Sequence, residues 1–305
     1  MIPRSYIENF TRGINAISAQ AQSALDAALQ GIDLTGDVAD VRRQVVSVMQ
    51  GICGTSTDAA AQLAAQFYDG LRYYELGETM GAQPISGREA EATEGAVRAF
   101  ADKLVKGRQD SFVNLLGDRV DYEIKVAASQ TCLNNAKRDR RKPRFARVPT
   151  GIETCDFCLM LASRGFVYHT EAAAGHAHGG CDCRIVPSWK SQEVEGYDPE
   201  AIYDQWQDAI KAKAAERAER NGTSEADELR KIMDAYGAAA AKAKRRTRPS
   251  TENNDNVSAR ISDFENASSI DELKKLIEQT DLEGLSDKQR QGLQWAVNRA
   301  KNRLR

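Results

Sequence analysis

Apolar residues recur every three or four positions along the first 136 residues. Ile14, Ile17, Ala21, Ala24, Leu25 and Ala28 make one series, and Val38, Val41, Val45, Val48, Met49 and Ile52 a second. That spacing places each series on one face of an α-helix. Gly31 to Gly36 separates the two, with Thr35 or Asp37 as the N-cap of the second. Thr57-Asp58 opens a third helix bearing Leu63, Phe67, Leu71 and Tyr74, which Gly77, Gly81 and Pro84 end. Ser86-Gly-Arg-Glu89 has capping-box spacing before Val97, Phe100 and Leu104. A long segment follows through Phe112, Leu115, Leu116, Ile124, Val126 and Cys132. Cys53 and Cys132 read as small buried hydrophobes, the common fate of a free thiol.

After residue 136 the pattern changes. Residues 137–147 carry seven basic side chains and one acid, with Pro143 and Pro149 breaking the helix and introducing a strand. Phe145 to Val148, Phe166 to Tyr168 and Arg184 to Pro187 have the short, apolar, β-branched character of strands, and Cys158 to Ser163 fits one or two helical turns. Helical periodicity returns at Pro199, with Ile202, Trp206 and Ile210 on one side, then Gly222-Thr-Ser, then a helix from Glu225 to Lys244. Lys242 to Arg248 is a second basic run, leading into a polar linker at 249–256. Residues 257–305 hold two capping boxes, Ser269 to Glu272 and Ser286 to Gln289, with Leu273, Leu276, Ile277, Leu285, Leu293, Trp295, Ala296 and Val297 at helical spacings. No repeat of fixed period is present.

Composition narrows the classes. In 305 residues, 41% are hydrophobic, enough for a core, while 28% charge and 7% aromatics point to slim helical layers. A formal net charge of −2 supplies no global field towards nucleic acid or anionic lipid, so any such contact is local. No apolar run approaches the roughly 20 residues that cross a bilayer. The start, Met1-Ile2-Pro3-Arg4, is unlike a signal peptide, which points to a reducing cytoplasm and reduced thiols.

The chemistry concentrates in one window. All three histidines and four of the six cysteines lie between Cys155 and Cys183: Cys155, Cys158, His169, His176, His178, Cys181 and Cys183. Zinc takes about four N or S ligands, usually as two close pairs. Cys155-Asp-Phe-Cys158 fits one pair and His178-Gly-Gly-Cys181 the other, with Cys183 as an alternative to Cys181. The competing readings are a redox or disulfide cluster and a scatter of buried thiols. His169-Thr-Glu171 has the His-x-Glu of zinc deaminases, but their Cys-x2-Cys follows that motif and here it precedes it. Glu171 therefore reads as a solvated charge. A module this poor in large apolar side chains is expected to bury little surface, leaving metal binding to supply much of its folding free energy.

The run Arg147-Val-Pro-Thr-Gly-Ile-Glu-Thr-Cys155-Asp-Phe-Cys158, then His178-Gly-Gly-Cys181-Asp-Cys183-Arg-Ile-Val-Pro187-Ser-Trp189 and Gly196-Tyr-Asp-Pro199, resembles the minor capsid proteins related to the phage Mu F protein. It is most similar to the form in actinobacterial phages and prophages. The likeness covers about residues 1–205, with its specific motif within 144–199. That family's Cys-x2-Cys followed by His-x2-Cys-x-Cys falls on Cys155, Cys158, His178, Cys181 and Cys183. The Gly179-Gly180 pair departs from the bulkier residues of many relatives and bears on loop shape.

The resemblance implies a non-enzymatic head morphogenesis protein in few copies, associated with the portal protein and other head proteins at the portal vertex inside the capsid, and assembled in the host cytoplasm. The expected fold is mainly α: a helical domain at 1–136, a small α+β zinc-binding module at 137–198, a helical extension at 199–248, the linker, and a small helical segment at 257–305. The basic residues Lys137, Arg138, Arg140, Arg141, Lys142, Arg144 and Arg147 are either a solvated connector or a non-specific contact to packaged DNA or an acidic partner. Two other classes stand beside this one: a zinc-dependent nuclease or toxin, and a capsid-maturation protease fusion. Residues 200–305 hold no His and no Cys and show no catalytic pairing, and no histidine lies outside 169–178 to serve as a base.

Overall fold

The computed structural model describes residues 1–87, 89–151, 154–168 and 183–246, the last ten of these without side chains, together with 263, 264, 267, 269–279, 293, 297, 300, 301 and 304. The chain divides into two compact units, Met1–Ala243 and Lys244–Arg305.

Three long helices form the base of the first unit: α1 (Arg4–Leu29), α2 (Val38–Leu76) and α5 (Gln109–Arg138). Ile7, Phe10, Ile14, Ala21, Leu25 and Leu29 make the buried stripe of α1, and Phe10 stacks on Phe67 of α2 with ring centroids 4.2 Å apart. Asp37 caps α2, accepting the amides of Ala39 and Asp40, each at 3.0 Å. Gly77 ends it in the left-handed conformation at φ 76°. Small residues on the inner face of α2, Cys53, Ala60 and Ala64, let α5 approach closely, and the Cys132 thiol lies against the Ala64 carbonyl. Burial pushes that thiol's pKa up to about 12, so Cys132 behaves as the packing residue expected of it. At Gly117 of α5 a Cβ would stand 2.8 Å from the Gln22 side chain, which instead donates to the Gly117 carbonyl at 2.7 Å.

Two expectations about helix ends are corrected. Thr57 does not open a helix, because α2 runs unbroken through it. The hydroxyls of Thr55, Ser56 and Thr57 donate back to the carbonyls of Gly51, Ile52 and Cys53, so these residues are satisfied inside the helix. Ser86 does not cap the next helix either: α3 (Ala90–Phe100) starts after Glu89, without a side-chain cap. The short α4 (Asp102–Val105) then leads into α5.

Strands β1 (Arg144–Pro149) and β2 (Cys183–Ser188) pair antiparallel, from Arg144 opposite Ser188 to Pro149 opposite Cys183. Tyr168 extends the pairing through reciprocal backbone bonds with Phe145, 2.8 and 3.2 Å long. Ile2, fully buried, bridges Val194 just past β2 and ties the chain's start to the ribbon. A two-stranded ribbon is marginal alone. Here Phe145, Val148, Leu159, Leu161, Phe166, Tyr168, Ile185 and Val186 are all buried and belong to the same core as the long helices. This corrects the expectation that the module buries little surface: its large apolar residues are few, but nearly all face the helical base.

Short helix α6 (Asp156–Ala162) follows β1, and α7 (Pro199–Asn221) and α8 (Glu225–Arg246) complete the unit. Asp198 caps α7, Gly222 ends it at φ 65°, and Trp206 and Ile210 are buried as their spacing predicts. In the second unit Ser269 caps α9 (Ile270–Glu278) by accepting the Glu272 amide at 3.2 Å. Phe264, Ala267, Leu273, Leu293, Val297 and Ala300 form its own small core. The 249–256 linker and the Ser286 to Gln289 box lie outside the described residues, as do the side chains of the Lys242 to Arg248 run.

Candidate metal centre and its carboxylate anchors

The cysteine end of the ribbon is built from α6 and the first residue of β2. Cys155 is the N-cap of α6, and its sulfur accepts the Cys158 amide at 3.4 Å. A Cys-x2-Cys pair thus sits on one helical turn, as its spacing predicts. Cys158 is fully buried, Cys183 is 7% exposed, and the two pack against each other. Cys155 is exposed. No disulfide joins the described cysteines.

His169, His176, His178 and Cys181 lie outside the described residues, and among the described residues no group of three or more His, Cys, Asp or Glu side chains is arranged to hold a metal. Cys158 and Cys183, two buried thiols brought together from separate elements, are soft donors of the kind zinc takes.

Both ends of α6 are fixed. The Leu161 carbonyl accepts the Tyr168 hydroxyl at 2.6 Å and the Ala162 carbonyl accepts that of Tyr197, so carbonyls that a helix leaves open are satisfied. Burial pushes the Tyr168 pKa up to about 12 and that of Tyr197 higher still, so both remain donors at any physiological pH. Asp156, next to Cys155, accepts from Lys213 of α7 at 2.8 Å and from Tyr236 of α8 at 3.3 Å. Burial first, then the Asp156 charge, raises the Tyr236 pKa to about 12. The Tyr236 ring stacks near Phe157 and meets Trp206 edge-on.

The opposite end of the ribbon is anchored by two carboxylates. Asp139, 2% exposed at the end of α5, accepts from Tyr68 at 3.1 Å, Arg72 at 3.0 Å, the Trp189 indole at 3.0 Å and the Arg141 amide at 2.8 Å. Burial by itself would raise its pKa, but these donors, Arg72 foremost, hold it below the ordinary carboxylate value. Glu75 of α2 accepts the Trp189 amide at 2.6 Å and both the amide and hydroxyl of Ser191, at 3.1 and 2.6 Å, together with the Ser188 hydroxyl. Its pKa is lowered as well, the hydrogen bonds outweighing burial.

The basic stretch divides. Lys137, Arg138, Arg140, Arg141, Lys142 and Arg144 are exposed, whereas Arg147 is buried at 2% exposure. Arg147 is therefore removed from the candidate contact surface: it lies inside the ribbon, opposite Ile185. Sequence reasoning missed the two anchors. A lone acid in a basic run was the visible sign of Asp139; Glu75 carries no comparable signal.

A helical base that seats a cysteine-bearing ribbon by two hydrogen-bonded carboxylates defines a mainly helical protein with a candidate metal centre. Among known proteins, its family is clear. The chain belongs to the VG15 protein family, which it matches over residues 1–209. It is also similar to the Gene 15 protein of Mycobacterium phage L5, 30% identical over 118 aligned residues, a match covering 25% of this chain and 40% of that protein. The chain thus spans less than half the length of that relative. No solved structure matches it. Family and relative together make this a phage-type protein, and none of its helices is long and apolar enough to cross a membrane among the described residues.

Proposed function

We propose that this protein is a non-enzymatic minor capsid protein of the phage head, of the kind related to the phage Mu F protein. In this reading it associates with the portal protein and other head proteins at the portal vertex, and its ribbon carries a structural zinc. The observation that carries the zinc reading is the packing of Cys183 against Cys158, with Cys155 one helical turn away. It favours Cys183 as a ligand. Cys155, Cys158 and Cys183 are then three donors, and His178 or Cys181 supplies the fourth, closing a tetrahedral site with no open position for water. A closed site suits a structural role better than a hydrolytic one, which needs a vacant position and a base. The metal would fix the residues between α6 and β2 as a surface for a head protein, while the helical base gives the protein its stability.

The test is elemental analysis of protein prepared reduced and without chelator, alongside particle incorporation in a phage assembly assay. Stoichiometric zinc in the wild type is expected, lost in Cys158→Ser and Cys183→Ser, with both variants failing to enter heads. Metal-free wild-type protein would refute the zinc centre. A Cys158→Ser protein that lost zinc yet assembled normally would detach the metal from head assembly.

A further inference from the structure

Six exposed cations, Lys137, Arg138, Arg140, Arg141, Lys142 and Arg144, fall within eight residues where α5 turns into β1. A charge run of this kind is ordinarily a solvated face whose ions pair with nearby acids. Here the acids are already engaged. Asp139, inside the run, is buried and saturated by Tyr68, Arg72, Trp189 and the Arg141 amide. Glu78 is held by Arg72 at 3.2 Å and approached by Arg141 at 3.4 Å. The guanidinium groups of Arg138, Arg140 and Arg144 meet no carboxylate among the described residues.

The turn is also fixed in shape. Asp139 roots it in the core, the Lys142 amide bonds back to the Asp139 carbonyl at 3.3 Å, and Lys142 itself adopts φ 46°, a conformation a lysine keeps only where its surroundings hold it. Arg138, Arg140 and Arg144, exposed on a turn of fixed shape, make a surface suited to anions.

We infer that this turn binds the phosphodiester backbone of double-stranded DNA without reading its sequence. Residues 137–144 expose no aromatic ring on which an unpaired base would stack, which disfavours single strands. They expose no large apolar side chain either, Pro143 being buried, so an acidic protein would find no desolvated anchor of the kind that dominates protein interfaces. A duplex backbone needs only spaced cations in solvent. The inference stands apart from the zinc centre and from head assembly, and its test needs neither.

The experiment is fluorescence anisotropy of a labelled random-sequence DNA duplex, titrated with the full chain across a range of salt concentrations. Compared are the wild type, the triple variant Arg138→Gln/Arg140→Gln/Arg144→Gln, and a control triple of exposed cations elsewhere, Arg108→Gln/Lys211→Gln/Arg220→Gln. All six substitutions are at exposed side chains, and circular dichroism checks that each protein is folded. Wild type and control are expected to bind with a steep salt dependence. The first triple should bind roughly a hundredfold more weakly near 0.1 M salt, its log–log salt slope shallower by about 1 for each cation removed. Absence of wild-type binding at low salt, or equal binding by the two triples, would overturn the inference. Displacement of the duplex by poly-glutamate as effectively as by unlabelled DNA would overturn it in favour of an acidic protein partner.

Discussion

The two ends of the β1–β2 ribbon are held by different chemistry. Where Arg144 pairs with Ser188, the chain leaves the ribbon through Trp189 to Ser191, and Asp139 and Glu75 take up its hydroxyls, amides and indole. Where Pro149 pairs with Cys183, the contact is thiol on thiol, Cys183 against Cys158, with α6 alongside. The carboxylate end is complete with residues of the helical base and draws on hydrogen bonds to charged acceptors, the strong kind. The thiol end has two packed sulfurs and a third at the α6 N-cap. The carboxylates seat the ribbon on the core, whereas the zinc proposed above would act at the thiol end, on the residues between α6 and β2.

If that division is right, the largest effect comes from the carboxylate end. Asp139→Ala leaves Tyr68, the Trp189 indole and the buried Arg72 without their shared acceptor. Removing one partner of a buried ion pair costs about 3–5 kcal/mol, and Glu78, which also binds Arg72, keeps the expected loss near the lower figure. Urea denaturation followed by circular dichroism should show a midpoint shifted down by that amount at unchanged slope. A loss under about 1 kcal/mol would mean that apolar burial alone seats the ribbon.

Much of the helical base was legible in the chain because amphipathic stripes state a period directly, as Ile14, Ala21 and Leu25 and Trp206 and Ile210 do, although the α1 stripe also takes in Ile7, Phe10 and Leu29, and Ala24 of the expected series is exposed. Short β-branched runs marked β1 and β2, whereas the third expected strand, Phe166 to Tyr168, supplies only the Tyr168 bridge to Phe145. What was illegible depends on partners distant in sequence. Thr57 looks like a cap until its hydroxyl is seen bonding Cys53 in the preceding turn. Arg147 looks like one more surface cation, since no local pattern shows that both faces of β1 are covered from Phe145 to Val148 while Arg144 stays exposed. Asp139 looks like an interruption of a basic run, and its role appears only when α2 and Trp189 close around it. In the candidate site, spacing predicted the Cys155–Cys158 turn, whereas the Cys158–Cys183 contact follows from the ribbon register, which no local pattern encodes.

A second, smaller effect is a dependence on pH. Asp139 and Glu75 both titrate below their ordinary values in the folded protein. They therefore bind fewer protons folded than unfolded, and the stability they add is fully present above about pH 4 and lost as pH falls through their lowered folded values. Glu75→Gln, which replaces a charged acceptor of several donors by a neutral amide, should cost about 1.5–3 kcal/mol at neutral pH. Its stability curve below pH 4 should be shallower than that of the wild type. Parallel acid limbs in the two proteins would place the titrating groups elsewhere and leave the carboxylate end without its special role.

The smallest effect tests the thiol end from outside it. Lys213 and Tyr236 lie beyond the family match, which ends at residue 209, yet both hold Asp156, the neighbour of Cys155. The Lys213 side chain is 41% exposed, so its ion pair adds at most about 1 kcal/mol to stability. Its influence on the site is geometric: with Asp156 held, the first turn of α6 presents Cys155 and Cys158 in a fixed relation. Partners one bond removed from metal ligands change affinity by about 10–100-fold, and these act a step further out. Lys213→Met with Tyr236→Phe should thus weaken zinc binding by roughly 2–10-fold in competition with a chromophoric chelator, with denaturation nearly unchanged. Stripping the metal from the wild type should likewise raise hydrogen exchange in α6 while the bonds of β1 and β2 stay protected, because the core under the ribbon does not depend on the thiols. Loss of protection throughout the ribbon on chelation would reverse the division between its ends and make the metal the ribbon's anchor.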